Sequence, residues 1–309
     1  MTLAHRPASV LFLFGPTAVG KTAFLKTLPG ARFEVISADS LQVYRGLDIG
    51  TAKPSQALQE RLRHHLINIR DCQEQFQVGD FVRLANRAVA DIAGRGSLPV
   101  VSGGAAFYIR HLLFGLSDAP QSTPAVRSAV RARLAERGLP NLYEELKWVD
   151  PATAERVGPA DEYRITRALE VYEVSGRPLS DFPPPEHSRG DINAMLVGLE
   201  RSREELYRRI NERVARMFEL GLRMEVERLV DHGCGSDAPA MRGIGYREFF
   251  SESGALRPRS DDLAICAEIQ QNSRRYAKRQ LTFFRSLPDV HWHPADDVAG
   301  LAAIVEQFA

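Results

Sequence analysis

Residues 10–22 read Val10-Leu11-Phe12-Leu13-Phe14-Gly15-Pro16-Thr17-Ala18-Val19-Gly20-Lys21-Thr22. The five apolar residues have the pattern of a short strand buried on both faces, as in a parallel sheet. Gly15 to Thr22 then fit G-x-x-x-x-G-K-[ST] in full, and Lys21 to Leu28 can open a helix. Strand, glycine loop and helix in that order are the context this motif requires. The glycines let backbone N–H groups turn inward around an anion, and the helix N-terminus adds partial positive charge. Gly15, Pro16, Thr17, Ala18, Val19, Gly20, Lys21 and Thr22 are therefore expected to hold a di- or triphosphate. Lys21 supplies a point charge, and the Thr22 hydroxyl suits a Mg²⁺ ion.

Outward from the loop, Phe33 to Ser37 reads as a second strand and Leu98 to Val101 as a third, ending at Ser102-Gly103-Gly104. Between them Asp80 can cap a helix with Phe81, Leu84, Ala85, Ala88, Val89 and Ile92 on one face. Strands alternating with helices imply an α/β fold, a P-loop NTPase-like parallel sheet flanked by helices. The texture changes near residue 120. Thr123-Pro124 starts a helical stretch that runs to about Ser175, broken at Asp150-Pro151 and Gly158-Pro159 and closed by Pro183-Pro184-Pro185. A strand-like run, Met195 to Leu199, follows. Ser202 and Glu205 have capping-box spacing for a long helix to about Val230, and a last helix is expected over Asp261 to Ser286. The expected layout is a core domain of residues 1–122 and 191–309, interrupted by an all-helical insertion domain at 123–190.

The net charge of +1 neither demands nor excludes a nucleic-acid partner, because its distribution over the surface decides that. The 44% hydrophobic and 26% charged content is that of an ordinary soluble chain. Cys72, Cys234 and Cys266 are far apart with no C-x-x-C pair, which argues for a reducing compartment and against a disulfide framework or zinc cluster. The first apolar run is too short for a signal peptide, and no stretch has the length of a membrane span. A cytoplasmic monomer with no membrane partner is expected.

The position of the acid sets the chemistry. P-loop ATPases and GTPases end an apolar strand in aspartate to hold the metal, but Val100-Val101-Ser102-Gly103 has none. The acid stands after the second strand, in Ser37-Ala38-Asp39-Ser40. The carboxyl ends of neighbouring parallel strands face one crevice, so Asp39 should lie beside the phosphate loop, ready to take a proton from an acceptor. A turn or cap is its purely structural alternative.

With these residues in place, the chain resembles the tRNA dimethylallyltransferases, also called tRNA isopentenyltransferases. The resemblance is carried by GPTAVGKT at 15–22, ISADSLQVYRGLDIGTAKP at 36–54, HHLINI at 64–69 and VSGGAAFY at 101–108. It continues through RALEVYEVSGRPL at 167–179, RGIGYREF at 242–249 and RYAKRQLTFFR at 275–285. It implies that the loop holds the diphosphate of dimethylallyl diphosphate, with Mg²⁺, and that the acceptor is the exocyclic amine of the adenine 3′ to the anticodon. Asp39 matches the family's general base, and Arg213 matches an arginine that assists the departing diphosphate, although Arg208, Arg209 and Arg216 stand close by. Implied tRNA contacts are Asp39, Ser40, Leu41 and Gln42, then Ala105 and Thr123, then Tyr163, Arg164, Ile165, Thr166 and Arg167 in the insertion. They continue with Arg242, Gly243, Ile244, Gly245, Tyr246 and Arg247, and with Lys278, Arg279, Gln280, Phe283 and Arg285.

Composition speaks for the last group independently. From Ile269 to Arg285 the charged residues are Arg274, Arg275, Lys278, Arg279 and Arg285, with no acid, interleaved with Tyr276, Phe283 and Phe284. Cations for phosphate and aromatics for bases suit a single-stranded RNA surface; an amphipathic helix with core aromatics is the plainer alternative. Ala105 stands where the family usually has threonine, Phe107 where it has leucine, and Phe283 where it has tryptophan. The pair His64-His65 reads as packing or hydrogen bonding, with no partners at zinc spacing. Three rival readings remain at this point: a P-loop small-molecule or nucleotide kinase, a prenyltransferase acting on free AMP or ADP, and a nucleotide-gated RNA-binding protein without transfer activity.

Overall fold

The computed structural model describes residues 7–308. The chain forms two compact units, one of residues up to Leu113 and from Arg189 onward, the other Phe114–Ser188. The insertion therefore starts about nine residues before the Thr123 helix cap, the cue visible in the sequence.

In the first unit the elements are β1 (Ala8–Phe14), α1 (Lys21–Leu25), β2 (Phe33–Ala38), α2 (Gln56–Arg61), β3 (His64–His65), α3 (Val78–Gly94), β4 (Leu98–Gly103) and α4 (Ala106–Phe114). The second unit carries α5 (Pro124–Val149), α6 (Pro151–Arg156) and α7 (Glu162–Ser175). The chain then returns with β5 (Ile192–Glu200), α8 (Arg203–Glu219), α9 (Leu222–Asp231), α10 (Asp262–Phe284), β6 (His291–Pro294) and α11 (Val298–Phe308). The six strands lie in the order β3-β2-β4-β1-β5-β6, and every pair is parallel. β2 and β4 are buried along their whole length and β1 from Val10 onward. Such strands read as continuous apolar runs because helices cover both faces of the sheet. The carboxyl ends of β1, β2 and β4 are in register at Phe14, Ala38 and Gly103. That edge carries the site.

Several expectations are corrected. Asp80 is the third residue of α3, not its cap: Gln77 is the cap and Asp80 reaches back to it in a capping box. The helix after Ser202 is two helices, because Gly221 adopts a left-handed φ of 96° between α8 and α9. β3, β6 and α11 add to the expected elements; His291-Trp292-His293-Pro294 pairs along β5 as a polar edge strand with no alternation to betray it. Cys72 and Cys234 form a disulfide with Cα atoms 6.0 Å apart, against the expectation from sparse cysteines. A separation of 162 residues hides the fact that their segments meet: Gln73 Nε2 donates to the Gly233 carbonyl at 2.9 Å. Among the described residues no helix is long and apolar enough to cross a membrane.

The second unit has its own core of Val130, Leu142, Leu146, Ile165, Ala168 and Leu169. Asp150, only 1% exposed, caps α6 by accepting from Thr153 N and also accepts from Ser180 N, both at 2.9 Å. Burial pushes its carboxyl upward, but the Thr153 and Ser180 hydrogen bonds outweigh this and hold it below the usual carboxylate range. Asp150→Ala is expected to cost about 2 kcal/mol in urea unfolding. Because the folded carboxyl is depressed, that stabilisation is present above the unfolded pKa of about 3.9 and fades as pH falls through the folded value.

Candidate active site

The loop of residues 15–22 closes over the carboxyl end of β1. Gly15 has φ 151° and Gly20 φ 128°, while Ala18 sits in the left-handed region at φ 63°. A Cβ on Gly15 would meet the Leu199 carbonyl oxygen at 2.7 Å, so only glycine fits there. The loop's outward carbonyls are held by arginines: Arg209 Nε donates to Ala18 O at 3.0 Å and Arg201 Nε to Val19 O at 2.7 Å. Lys21 curls back, its Nζ donating to Gly15 O at 2.8 Å and Pro16 O at 2.9 Å. The Thr17 amide donates to Gln280 Oε1 and the Val19 amide to Pro16 O, which leaves the amides of Ala18, Gly20, Lys21 and Thr22 to face an anion.

Asp39 follows β2 directly and lines the same cavity, which measures about 1120 Å³. Its Oδ1 accepts from Leu41 N at 2.9 Å and Gln42 N at 3.2 Å, an Asx turn that fixes the side chain. The turn and the catalytic candidacy are thus compatible, since among the described residues no hydrogen bond engages Oδ2. Gln42 accepts from Ser37 Oγ at 3.1 Å, and its Nε2 donates to Thr51 O at 3.3 Å.

The four clustered arginines of α8 separate cleanly. Arg208 pairs with Glu205 and Glu212, and Arg216 with Glu219. Arg209 goes to the outside of the loop. Arg209 and Arg216 also line the cavity, but of the four Arg213 alone bonds both the phosphate loop and the Thr51 turn, with Nη1 donating to Thr17 Oγ1 at 3.3 Å and Nη2 to Thr51 O at 3.2 Å.

From the third strand, Gly103 and Gly104 bring backbone against backbone. A Cβ at Gly103 would lie 2.0 Å from Ala38 O, and one at Gly104 2.3 Å from Gln280 Nε2. Gln280 is a strut: Oε1 accepts from Thr17 N at 2.9 Å while Nε2 donates to Gly104 O at 2.7 Å. Tyr276 donates to the same Gly104 oxygen at 3.3 Å. Helix α10 thus ties the phosphate loop to the end of β4.

Of the residues singled out in the sequence, the cavity brings together Thr17 to Thr22, Asp39 to Gln42, Ala105, Arg213, Arg242 to Gly245, Arg247, Arg279 and Gln280. Gly15 and Pro16 are buried behind it. Tyr246 and Ile165 are fully buried, so neither can present a side chain to RNA. Gln280, 3% exposed, spends its amide inside the protein. Lys278 and Arg285 are exposed on and just after α10 and Phe283 is half-buried, outside the cavity lining. In the insertion, Thr123 caps α5 by accepting from Val126 N. Tyr163, Arg164 and Arg167 line a hollow of about 280 Å³ within that unit, and Thr166 bonds the Glu162 carbonyl of its own helix. His65 meets Glu34 at 2.7 Å and His64 Nδ1 meets Leu62 O, so the histidine pair is hydrogen-bonded.

Burial and the neighbouring Arg213 lower the Lys21 amine to about 7, with Asp39 opposing the shift. Burial also lowers Arg213. An incoming anion reverses both penalties. Binding of inorganic diphosphate is expected to take up a proton onto Lys21 above pH 7 and to weaken as pH rises. Calorimetry in buffers of different ionisation enthalpy measures this: uptake should grow from pH 6 to 8 beyond that of diphosphate itself and vanish in Lys21→Met.

A family model described as IPP transferase matches residues 42–287. The chain is 45% identical over 286 residues to tRNA dimethylallyltransferase 1 of Syntrophotalea carbinolica, covering 92% of this chain and 90% of that protein. It is 43% identical over 306 residues to the tRNA dimethylallyltransferase of Geobacillus thermodenitrificans, covering 97% and 94%.

This chain belongs to the IPP transferase family.

A crystal structure of a tRNA isopentenylpyrophosphate transferase from Bacillus halodurans shares the fold, with TM-score 0.65, 34% identity and coverage of 97% of this chain and 96% of that one. Within this IPP transferase site, the supporting residues Arg201 and Thr51 have no place in the sequence expectations, Arg209 enters them only as a neighbour of Arg213, and Gln280 is expected there as a tRNA contact rather than a brace of the loop. Thr51 lies in the quoted GLDIGTAKP stretch, directly after Gly50, and that placement is the one signal the sequence offers.

Proposed function

We infer that this protein transfers a dimethylallyl group from dimethylallyl diphosphate to the exocyclic amine of the adenine 3′ to the anticodon in tRNA. The observation that carries this reading is the pairing of a phosphate loop with Asp39 at the end of the neighbouring strand, in a chain of the IPP transferase family. In the reaction the adenine N6 lone pair forms a bond to C1 of the allyl group. The C1–O bond breaks, and its electron pair leaves with diphosphate. The N6 proton passes to the Asp39 carboxylate. A positioned general base is typically worth ~10²–10⁴-fold. Loop amides, Lys21 and Arg213 stabilise the charge that develops on the diphosphate. Ile49, Ile210, Val214 and Met217 give the cavity an apolar flank suited to a five-carbon chain.

The residues also fit a Mg²⁺ ion. Mg²⁺ takes few protein ligands and keeps phosphate oxygens and water, and Thr22 is an exposed hydroxyl of the cavity lining. Among the described residues no cluster of three His, Cys, Asp or Glu could hold a metal unaided, so the diphosphate would supply most of the coordination. When bound, the ion offsets charge on the leaving group.

The exposed face of α10 and the Arg242–Arg247 segment are read as the RNA surface, because an extruded loop base needs cations for its flanking phosphates. Lys278→Ala combined with Arg279→Ala is expected to raise the tRNA KM several-fold and flatten its salt dependence, leaving diphosphate affinity near normal. The whole reading is tested with labelled dimethylallyl diphosphate, Mg²⁺ and unmodified tRNA, with AMP and ATP as controls. Label in tRNA alone upholds it; label in AMP, or ATP turnover with a small acceptor, replaces it with a rival.

A further inference from the structure

A buried carboxylate stands behind the site. Glu225 on α9 is 2% exposed. Its Oε2 accepts from the amides of Asp48 at 3.0 Å and Ile49 at 2.8 Å. Its Oε1 accepts from Gly50 N at 3.1 Å and from the Tyr246 hydroxyl at 2.8 Å. Three successive backbone amides around one anion make a nest, here filled by the protein's own side chain. The segment it grips is clamped from the other side as well: a Cβ on Gly50 would meet the Tyr246 ring at 2.5 Å. The next residue is Thr51, whose carbonyl takes Arg213 Nη2 and Gln42 Nε2. Thr51 Oγ1 donates to Leu47 O at 2.7 Å, closing the turn.

We propose that Glu225 is a positioning residue for the transfer step, setting the Thr51 carbonyl and through it the Arg213 guanidinium. This rests on the reading that Arg213 meets the departing diphosphate. A glutamine cannot replace it: one oxygen is lost, and an NH₂ donor is turned toward amide donors. Burial makes that mismatch costly, and the nest relaxes by moving the segment that ends at Thr51.

The test is a double-mutant cycle in the full-length protein, read as the single-turnover transfer rate at saturating donor and tRNA. Glu225→Gln is expected to slow transfer roughly ten- to a hundredfold with the tRNA KM within about twofold of the parent, and Glu225→Asp to recover part of the rate. In an Arg213→Ala background, the further loss from Glu225→Gln should nearly disappear, because residues acting through one group are not additive. Tyr246→Phe removes one of the four hydrogen bonds while keeping the ring. It serves if Glu225→Gln does not fold: a smaller loss is expected, again absent in the Arg213→Ala background. An equal fold-loss in both backgrounds, or a parental rate in the single variants, overturns the proposal. A parental rate for Arg213→Ala alone overturns instead the role of Arg213 on which it rests, an outcome separable from the first.

Discussion

Replacing Asp39 with alanine is expected to lower the single-turnover transfer rate by ~10²–10⁴-fold, the worth of a positioned general base, while tRNA binding stays largely intact. Alanine also deletes the acceptor of the Leu41 and Gln42 amides, so loss of activity alone does not separate a proton acceptor from a turn. Asp39→Asn does. Its side-chain oxygen keeps the Asx turn, yet it accepts no proton at neutral pH. Transfer should fall as far in Asn as in Ala, with thermal unfolding near that of the parent. Activity retained in the Asn variant would make Asp39 a structural residue.

The second large effect is expected at Gly103. β2 and β4 run in register to Ala38 and Gly103, and a Cβ there would stand 2.0 Å from Ala38 O and 2.4 Å from its carbonyl carbon. Both strands are buried along their length, so neither can give way without parting the sheet beside Asp39. Forced overpacking of a dense core costs about 1–3 kcal/mol, occasionally more, and backbone-on-backbone contact belongs at the upper end. Gly103→Ala is expected to lower the unfolding midpoint by several degrees and to remove activity even in the folded fraction. Gly104→Ala meets only the end of the Gln280 side chain. It should remain folded but lose the strut to Thr17, so the dimethylallyl diphosphate KM rises.

Most of the sheet was legible because β1 is an apolar run from Val10 to Phe14, β2 and β4 are largely apolar, and the phosphate loop is a contiguous motif. Val10–Phe14, Phe33–Ser37 and Leu98–Val101 needed no long-range information. The edge strands β3 and β6 lacked that signal, since a two-residue pairing at His64–His65 and a polar His291–Pro294 are made by their neighbours. The same division runs through the site. Asp39 was found from its place at a strand end, and Arg213 was named through resemblance, but only its contacts with Thr17 and Thr51 separate it from Arg208 and Arg216. Tyr246 and Gln280 were expected as RNA contacts through the family resemblance, because they stand inside its motifs. Their burial follows from a carboxylate on α9 and a loop 263 residues away, which no local pattern encodes. The Cys72–Cys234 pairing is likewise a product of the fold, not of cysteine spacing.

The most direct test is to count, in one reaction of the parent protein with dimethylallyl diphosphate, Mg²⁺ and unmodified tRNA, the diphosphate released against the prenyl groups gained by tRNA. One diphosphate per prenyl group is expected, with the added mass on the adenine 3′ to the anticodon and no diphosphate release when tRNA is omitted. Orthophosphate in place of diphosphate, or diphosphate release with no prenyl group in tRNA, would contradict the assignment of the phosphate loop to a leaving diphosphate.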